Sequence, residues 1–254
     1  MNMTDDKLKL TANEVYDWLL NKDQILTLKG QISFYLGGVD IIVKQRDVVG
    51  NIMQEWIEGW LKKNNICFSV NENTQMPPDF YLNPDDKKIE LLEIKAFNYK
   101  GTPGFDIAAF DMFEKEIKDK PYVLDTTYLI FGYDMSSEGV VTIKKMWKQK
   151  VWQITRPMKT KGGTEWPINL QIKDGVVHKI RPAKWYAKQN KYKVFESLPD
   201  FLSAIEETIY QNNDTRKDGS GWKQKMETNY KSFFGTDLRI PRWDDIKDNY
   251  RLKT

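Results

Sequence analysis

The stretch 77–95, PPDFYLNPDDKKIELLEIK, decides the predicted fold, because it holds two short apolar runs separated by a turn. Asp79 opens the first run, and Glu93 and Lys95 lie within the second. Alternate residues of a strand point to the same side, so Glu93 and Lys95 project together while Ile94 points the other way. If the strand that begins at Asp79 pairs beside the second run, two carboxylates and one ammonium group converge on one point.

Carboxylate oxygens that converge in this way suit Mg²⁺, which needs one or two protein carboxylates and takes its other ligands from water and substrate phosphate. A lysine beside such a site can hold or deprotonate a water molecule, or offset the charge that builds on phosphorus. A surface strand with a charged outer face would also produce the letters Glu-x-Lys. That alternative is weakened by the whole string, in which Pro-Asp begins one strand and an in-phase Glu-x-Lys follows in the next.

The residues around this stretch predict further helices and strands. A capping box formed by Thr11 and Glu14 predicts the start of a first helix. Gly37-Gly38 predicts the turn of a β-hairpin. Apolar periodicity predicts further helices over 47–63 and 106–118, and strands over 66–70, 80–82, 89–94 and 127–133. This order predicts an α/β (α+β) fold, with a mixed central β-sheet flanked by helices.

The C-terminal part is less regular. It predicts a hairpin over 168–180, turning at Asp174-Gly175, and two final helices that begin near Ser197 and Ser220. No repeat, low-complexity tract or linker divides the chain, so we expect a single domain over 1–254.

Positive charge is concentrated between residues 142 and 193, which we call the basic segment. It holds 14 Lys and Arg against two acidic residues, whereas the rest of the chain has a net charge of −9. Such a segment predicts a polyanion partner, because neutralised phosphates release counterions, although a charged solvated face is the common alternative. Trp and Tyr residues lie between the cations of this segment, which favours nucleic acid as the polyanion. The candidate DNA contacts are Lys144, Lys145, Lys148, Arg156, Lys159, Lys161 and Arg181.

Several classes of protein are excluded by composition. One cysteine, Cys67, rules out an internal disulfide framework and multi-cysteine metal sites. One histidine, His178, argues against ββα-metal and HExxH chemistry. No run of about 18 apolar residues could cross a bilayer, and MNMTDDKLKL has no signal-peptide core, so we expect a soluble, cytoplasmic protein.

The motif Pro78-Asp79 with Glu93-Ile94-Lys95 resembles that of the PD-(D/E)xK nucleases. Within that superfamily the chain is similar to the type II restriction endonucleases. More narrowly, 43–50 (VKQRDVVG) together with 75–80 (QMPPDF) resembles the NgoBV and NlaIV group, which reads GGNNCC. Ala96 departs from the Gln that follows the lysine in some relatives, and nothing essential depends on that difference.

The resemblance implies a restriction-endonuclease-like fold with its catalytic core over 44–134. It implies Mg²⁺-dependent hydrolysis of double-stranded DNA to 5′-phosphate and 3′-hydroxyl ends, by a homodimer in the bacterial cytoplasm. The implied catalytic residues are Asp79, Glu93 and Lys95, and the implied metal ligands are Asp79, Glu93 and the Ile94 carbonyl. Relatives often add an acid from the preceding helix, and Glu55, at the edge of that helix's apolar arc, is the candidate. A helix charge without a role is the alternative for Glu55.

Three functional hypotheses remain open from the sequence. The first is a sequence-specific endonuclease. The second is another PD-(D/E)xK enzyme, such as a repair nuclease or a junction resolvase, whose cleavage would depend on DNA structure. The third is a non-catalytic DNA-binding protein, against which the intact acidic pair and lysine argue.

Overall fold

A computed structural model describes residues 7–73, 75–188 and 191–252 of the chain. Contacts between residues group the chain into two compact units. Unit 1 comprises Met1–Glu72, Pro78–Phe105 and Thr127–Gln149, and unit 2 comprises Asn73–Pro77, Asp106–Thr126 and Lys150–Thr254. The expectation of one domain over 1–254 stays a prediction, and the two units are described separately.

Unit 1 is built around a six-stranded sheet whose strands come from distant parts of the chain. Across the sheet, with strands numbered in chain order over both units, they are β1 (Lys29–Gln31), β9 (Val140–Gln149), β8 (Thr127–Met135), β6 (Leu91–Asn98), β5 (Phe80–Tyr81) and β4 (Ser69–Val70). β6 and β8 run parallel, and the other neighbours run antiparallel. The predicted mixed central sheet is therefore confirmed.

Among the described residues of unit 1, two α-helices accompany this sheet, α1 (Ala12–Asp17) and α2 (Val48–Lys63). A π-helix (Trp18–Lys22) continues α1, and a 3-10 helix follows it (Ile25–Thr27). The predicted capping box is present at α1, because the hydroxyl of Thr11 accepts from the amide of Glu14 and the Glu14 carboxylate accepts from the amide of Thr11. α2 packs against β6 through one apolar face, which belongs to the core of unit 1. The buried residues of that face are Val49, Met53, Ile57, Trp60 and Leu61.

The predicted hairpin at Gly37-Gly38 is also present in unit 1. Its strands are β2 (Ser33–Leu36) and β3 (Val39–Ile42), and both glycines have positive φ, as a tight hairpin turn requires. Every strand residue of this hairpin is exposed. It forms a sheet of its own and adds no strand to the central sheet.

Among its described residues, unit 2 contains the short strand β7 (Ala108–Ala109), two hairpins, four α-helices and four short 3-10 helices. The other strands and the α-helices are α3 (Phe110–Asp119), β10 (Met158–Lys159), β11 (Glu165–Trp166), β12 (Leu170–Lys173), β13 (Val176–Ile180), α4 (Leu198–Gln211), α5 (Trp222–Phe234) and α6 (Trp243–Ile246). The 3-10 helices are Pro121–Asp125, Val151–Ile154, Arg216–Asp218 and Lys247–Tyr250. The predicted hairpin over 168–180 is confirmed by β12 and β13. The two predicted final helices are confirmed as well, because α4 begins directly after Ser197 and α5 begins at Trp222, two residues after Ser220.

The helix predicted over 106–118 begins later than expected, at Phe110. The residues before it are extended, because the amide of Ile107 donates to the carbonyl of Ile180 and Ala108–Ala109 pair with β13. A tertiary strand contact thus replaces the first turn of the predicted helix.

In the part of the chain that the structure describes, no helix combines the length and the apolar character needed to span a lipid bilayer.

Candidate active site

Asp79 lies immediately before β5, at the point where that strand joins β6. Its amide donates to the carbonyl of Leu92 at 3.1 Å, which continues the antiparallel pairing of Phe80 with Leu92. One carboxylate oxygen, Oδ2, accepts from the amide of Ile94 at 2.7 Å. The backbone of β6 therefore holds the Asp79 carboxylate beside the peptide that joins Glu93 to Ile94.

Glu93 and Lys95 project from the same face of β6, as the strand periodicity predicts. The Lys95 ammonium lies 2.7 Å from Oε1 of Glu93. Glu93 is buried, with only 3% of its surface exposed, whereas Lys95 is half-buried. The second oxygen of Glu93, Oε2, is buried and has no hydrogen-bond partner among the described residues.

Electrostatics link Asp79 to this pair. Burial first, and then the charge of Glu93, raise the pKa of Asp79 to about 7, while Lys95 and the amide of Ile94 act in the opposite direction. The two carboxylates are therefore close enough to repel each other. This arrangement brings two carboxylates together in a largely buried place, where their repulsion is costly and a bound cation would relieve it.

Tyr128 is a fourth polar side chain at this place, and it was not among the predicted site residues. In the parallel pairing of β6 with β8, Tyr128 lies opposite Glu93. It is only 1% exposed, and its hydroxyl has no hydrogen-bond partner among the described residues. Burial, together with the charges of Glu93 and Asp79, raises the pKa of Tyr128. The sequence predicted the strand of Tyr128, but the register that brings it to Glu93 depends on tertiary pairing.

Glu55 lies on α2 with its side chain exposed. The structure links it to Asp79, Glu93 or Lys95 by neither a hydrogen bond nor an ion pair. Its neighbour Glu58 pairs with Lys62 one turn later along α2. No cluster of three or more His, Cys, Asp or Glu side chains is found among residues 7–73, 75–188 and 191–252, so a cation here would have two carboxylates and otherwise backbone or water as ligands.

Three of the predicted DNA contacts lie in unit 1. Lys144, Lys145 and Lys148 are exposed on β9, and none of them forms an ion pair with a described residue. The Lys148 ammonium lies 5.2 Å from the centre of the Tyr16 ring. All three cations are therefore available to a polyanion.

The other four predicted contacts lie in unit 2, where several are engaged with the protein itself. Arg156 is half-buried and donates to the carbonyl of Tyr192 at 3.1 Å. Arg181 pairs with Asp106. Lys159 lies 3.9 Å from Glu165, whereas Lys161 is exposed in the turn between β10 and β11.

Comparison with known proteins gives concordant matches. The NgoBV restriction endonuclease family model matches residues 9–250. The type II restriction enzyme NlaIV of Neisseria lactamica is 57% identical over 247 residues, which cover 97% of this chain and 100% of that protein. The type II restriction enzyme NgoBV of Neisseria gonorrhoeae is 54% identical over 166 residues, which cover 65% of this chain and 91% of that protein.

The fold agrees with these matches. A solved structure of the NlaIV restriction endonuclease superposes with a TM-score of 0.91 at 57% identity, covering 97% of this chain and 98% of that one. A match over nearly the whole chain confirms the first of the three functional hypotheses. The chain belongs to the NgoBV restriction endonuclease family and is a type II restriction endonuclease, that is, a site-specific deoxyribonuclease.

Proposed function

We propose that this endonuclease hydrolyses phosphodiester bonds of double-stranded DNA with Mg²⁺, leaving 5′-phosphate and 3′-hydroxyl ends, and that Asp79, Glu93 and Lys95 are its catalytic set. The observation that carries the proposal is the convergence on β6. The Asp79 carboxylate is held by the Ile94 amide, next to the Glu93–Lys95 pair. This is the arrangement that the PD-(D/E)xK resemblance implies.

The donor set fits Mg²⁺. Asp79 and Glu93 would hold the cation, with the Ile94 carbonyl as a third protein ligand, and water and phosphate oxygens would complete its coordination. The unpartnered Oε2 of Glu93 supports this fit, because a buried carboxylate oxygen without a hydrogen bond is costly unless a cation or water satisfies it. When bound, Mg²⁺ supplies charge stabilisation and lowers the pKa of a coordinated water molecule.

Lys95 supplies the cationic side chain at the reacting phosphate. Its ammonium is anchored by Oε1 of Glu93, which orients the remaining N–H bonds without neutralising the whole site. An ammonium group placed in this way donates to a phosphate oxygen and offsets the charge that develops there in the transition state. No serine or cysteine nucleophile is required, because alignment and charge stabilisation supply the acceleration.

Binding of the duplex is assigned to the seven cations predicted from the basic segment: Lys144, Lys145, Lys148, Arg156, Lys159, Lys161 and Arg181. Cations that contact phosphates set affinity, whereas side chains that reach base edges set specificity. The resemblance to enzymes that read GGNNCC makes that palindrome the proposed target. A palindrome is matched by a two-fold dimer with one active site for each strand, so a homodimer is proposed.

The catalytic assignment is tested with Asp79→Ala and Lys95→Ala. Each change should lower the cleavage rate of a plasmid by at least about a hundredfold, because each removes a charged group from the reacting centre. Binding of a duplex oligonucleotide should remain largely intact. The matched control is Asp85→Ala, since Asp85 is an exposed carboxylate that pairs with Lys9 at the surface. Cleavage retained by either site variant would remove the assignment.

Glu55 is proposed as an auxiliary acid from the helix before the motif. The comparison variant is Glu58→Gln, because Glu58 lies on the same helix and pairs with Lys62 one turn along it. Glu55→Gln should slow cleavage while Glu58→Gln leaves it unchanged. Equal rates for the two variants would show that Glu55 is an ordinary helix charge.

Mapping cut ends on a sequenced plasmid would report the target, the cut position and the stagger together.

A further inference from the structure

The hydroxyl of Tyr128 differs from those of the other buried tyrosines. Three others are buried among the described residues, and each donates its hydroxyl to a protein oxygen: Tyr133 to the Arg46 carbonyl, Tyr192 to Glu165 and Tyr250 to Asp200. Tyr128 is at least as well buried, yet its hydroxyl has no hydrogen-bond partner among the described residues. A buried hydroxyl without a partner costs free energy, so its isolation needs a physical reason.

A second unpartnered oxygen lies beside Tyr128 in the sheet. Tyr128 of β8 and Glu93 of β6 are opposite each other in the parallel register, so their side chains point to the same face from strands about 4.8 Å apart. Oε2 of Glu93 is also buried and without a partner among the described residues. A hydroxyl can donate to a carboxylate, but these two groups form no hydrogen bond with each other. A gap therefore separates the hydroxyl from the carboxylate oxygen.

This gap lies at the proposed cation site. The pairing of Phe80 with Leu92 places Asp79 opposite Glu93, so Tyr128, Glu93 and Asp79 form one row across three neighbouring strands. Burial first, and then the charges of Glu93 and Asp79, raise the pKa of Tyr128, so its hydroxyl stays neutral. A neutral hydroxyl can accept a hydrogen bond from water as well as donate one.

We propose that Tyr128 is a positioning residue of the cation site, whose hydroxyl oxygen accepts a hydrogen bond from a water molecule on the cation bound by Asp79 and Glu93. Mg²⁺ keeps several water molecules when one or two carboxylates bind it. A side chain that holds a ligand of the metal in place raises the affinity for that metal, by about ten- to a hundredfold. The inference rests on the proposed function, which places Mg²⁺ on these two carboxylates.

The alternative occupant of the gap is a structural water molecule that bridges Tyr128 and Glu93 without a cation. The charges favour the cation, because the one ammonium group of Lys95 faces two buried carboxylates, and water adds no positive charge. The two occupants predict different results. A structural bridge makes the Tyr128 hydroxyl important for the stability of the metal-free protein, whereas a positioning role makes it important for the affinity for Mg²⁺.

The inference is tested by the Mg²⁺ affinity of the full DNA-free chain, measured by calorimetric titration above pH 7, where Asp79 is mainly ionised. Tyr128→Phe removes only the hydroxyl and should weaken Mg²⁺ binding by about tenfold or more. Its metal-free unfolding temperature should be unchanged or higher. Unchanged affinity in this variant would overturn the inference, and a lower metal-free unfolding temperature with it would identify the structural water.

The matched control is Tyr133→Phe. Tyr133 is buried on the same strand, but its hydroxyl donates to the carbonyl of Arg46. This variant should lower the unfolding temperature, because the Arg46 carbonyl loses a hydrogen bond, and should leave the Mg²⁺ affinity unchanged. Equal losses of affinity in the two tyrosine variants would contradict a specific role for Tyr128.

The near-ultraviolet absorption of tyrosine provides a second readout. Addition of Mg²⁺ to the wild type should change this absorption, because the Tyr128 hydroxyl gains a hydrogen bond. The change should be lost in Tyr128→Phe and kept in Tyr133→Phe. A Mg²⁺ difference spectrum that is the same in wild type and Tyr128→Phe would contradict the inference.

Asp79→Asn separates the failure of this inference from the failure of the proposed function. Mg²⁺ binding that survives in Asp79→Asn, or that is absent from the wild type, would remove the proposed cation site and this inference with it. Binding that is lost in Asp79→Asn but fully retained in Tyr128→Phe would leave the cation site standing and refute only the role of Tyr128.

Discussion

At the scale of single residues, Asp79 combines two properties that oppose each other. Its carboxyl group has a pKa of about 7, chiefly because it is buried, yet the proposed cation site needs it ionised. A proton and Mg²⁺ therefore compete for the same oxygens. We expect the affinity of the DNA-free protein for Mg²⁺ to rise between pH 6 and pH 8, by up to about tenfold per pH unit below the pKa. Calorimetric titration at a series of pH values measures this directly.

The raised pKa of Asp79 also predicts how the stability of the metal-free protein depends on pH. Because the folded-state pKa of Asp79 lies above its ordinary value of 3.8, the folded protein binds more protons than the unfolded chain between about pH 4 and pH 7. The contribution of Asp79 to stability is therefore present below pH 4 and is lost as the pH rises to 7. Asp79→Asn should abolish both pH dependences. A variant that keeps either one would place the titrating group elsewhere.

Tyr128 allows a test of the unpartnered hydroxyl beside Glu93. Removing a buried hydroxyl that has no partner costs no hydrogen bond, so Tyr128→Phe should leave the free energy of unfolding of the metal-free protein unchanged or raise it. Tyr250 is the matched control, because it is equally buried but its hydroxyl donates to Asp200 and accepts from the amide of Glu196. Tyr250→Phe should lower stability by roughly 1.5–3 kcal/mol. Equal losses in urea unfolding would show that Tyr128 has a partner.

At the scale of elements, Gly132 of β8 lies where aromatic side chains pack closely over the strand. A Cβ at Gly132 would lie about 3.0 Å from the rings of both Trp147 and Tyr99, because these aromatic side chains cover the strand at that position. Gly132→Ala should therefore destabilise the protein by roughly 1–3 kcal/mol, as overpacking does. Gly162→Ala is the control, since its nearest neighbour would be the Thr160 hydroxyl at 3.9 Å. Thermal unfolding that shows no difference between the two variants would contradict this packing.

The same strand pair shows why part of the fold was not predictable. The sequence does not predict β9, because Lys144 and Lys145 are adjacent and both exposed, and Met146 and Trp147 are adjacent and both buried. The register shift opposite Gly132 and Tyr133 of the partner strand leaves Lys144 as an extra residue in β9, which accounts for the two adjacent exposed lysines. Trp147 is buried next to Met146 because it packs against the rings of Phe97 and Tyr99. A bulge depends on the partner strand, so a pattern of period two cannot reveal it.

The grouping of Asp79, Glu93 and Lys95, in contrast, could be predicted from the sequence. Their grouping follows from two local rules, the alternation along β6 and the pairing of neighbouring strands across a turn, and the structure brings the three together as predicted. The position of Tyr128 could not be predicted, because it follows from a parallel register between strands that are far apart in the sequence. The hydrogen bond of Glu90 could not be predicted either, because its carboxylate accepts from the amide of Ala12, 78 residues away.

At the scale of the whole molecule, the charge imbalance seen in the sequence is partly neutralised by folding. Acidic residues outside the basic segment pair with cations inside it: Asp125 binds Lys150, and Asp106 binds both Lys179 and Arg181. Burial would raise the pKa of Asp106, but the hydrogen bonds from Lys179 and Arg181 outweigh it and lower that pKa. The cations of the basic segment therefore differ in how free their charge is to bind DNA phosphates.

This inequality predicts how DNA affinity responds to salt. Each phosphate contact contributes about 0.9 to the slope of log affinity against log salt concentration. Lys144→Ala and Lys145→Ala, which remove exposed cations without ion pairs, should each lower that slope by about this amount if they contact phosphate. Arg181→Ala should lower it less, because its guanidinium already pairs with Asp106, and should instead reduce stability. Fluorescence anisotropy in an Asp79→Ala background without divalent metal, where the proposed chemistry predicts no cleavage during the measurement, gives all three slopes. A larger slope change for Arg181→Ala than for either lysine variant would show that DNA displaces Asp106 and that the folded ion pairs do not decide which cations bind.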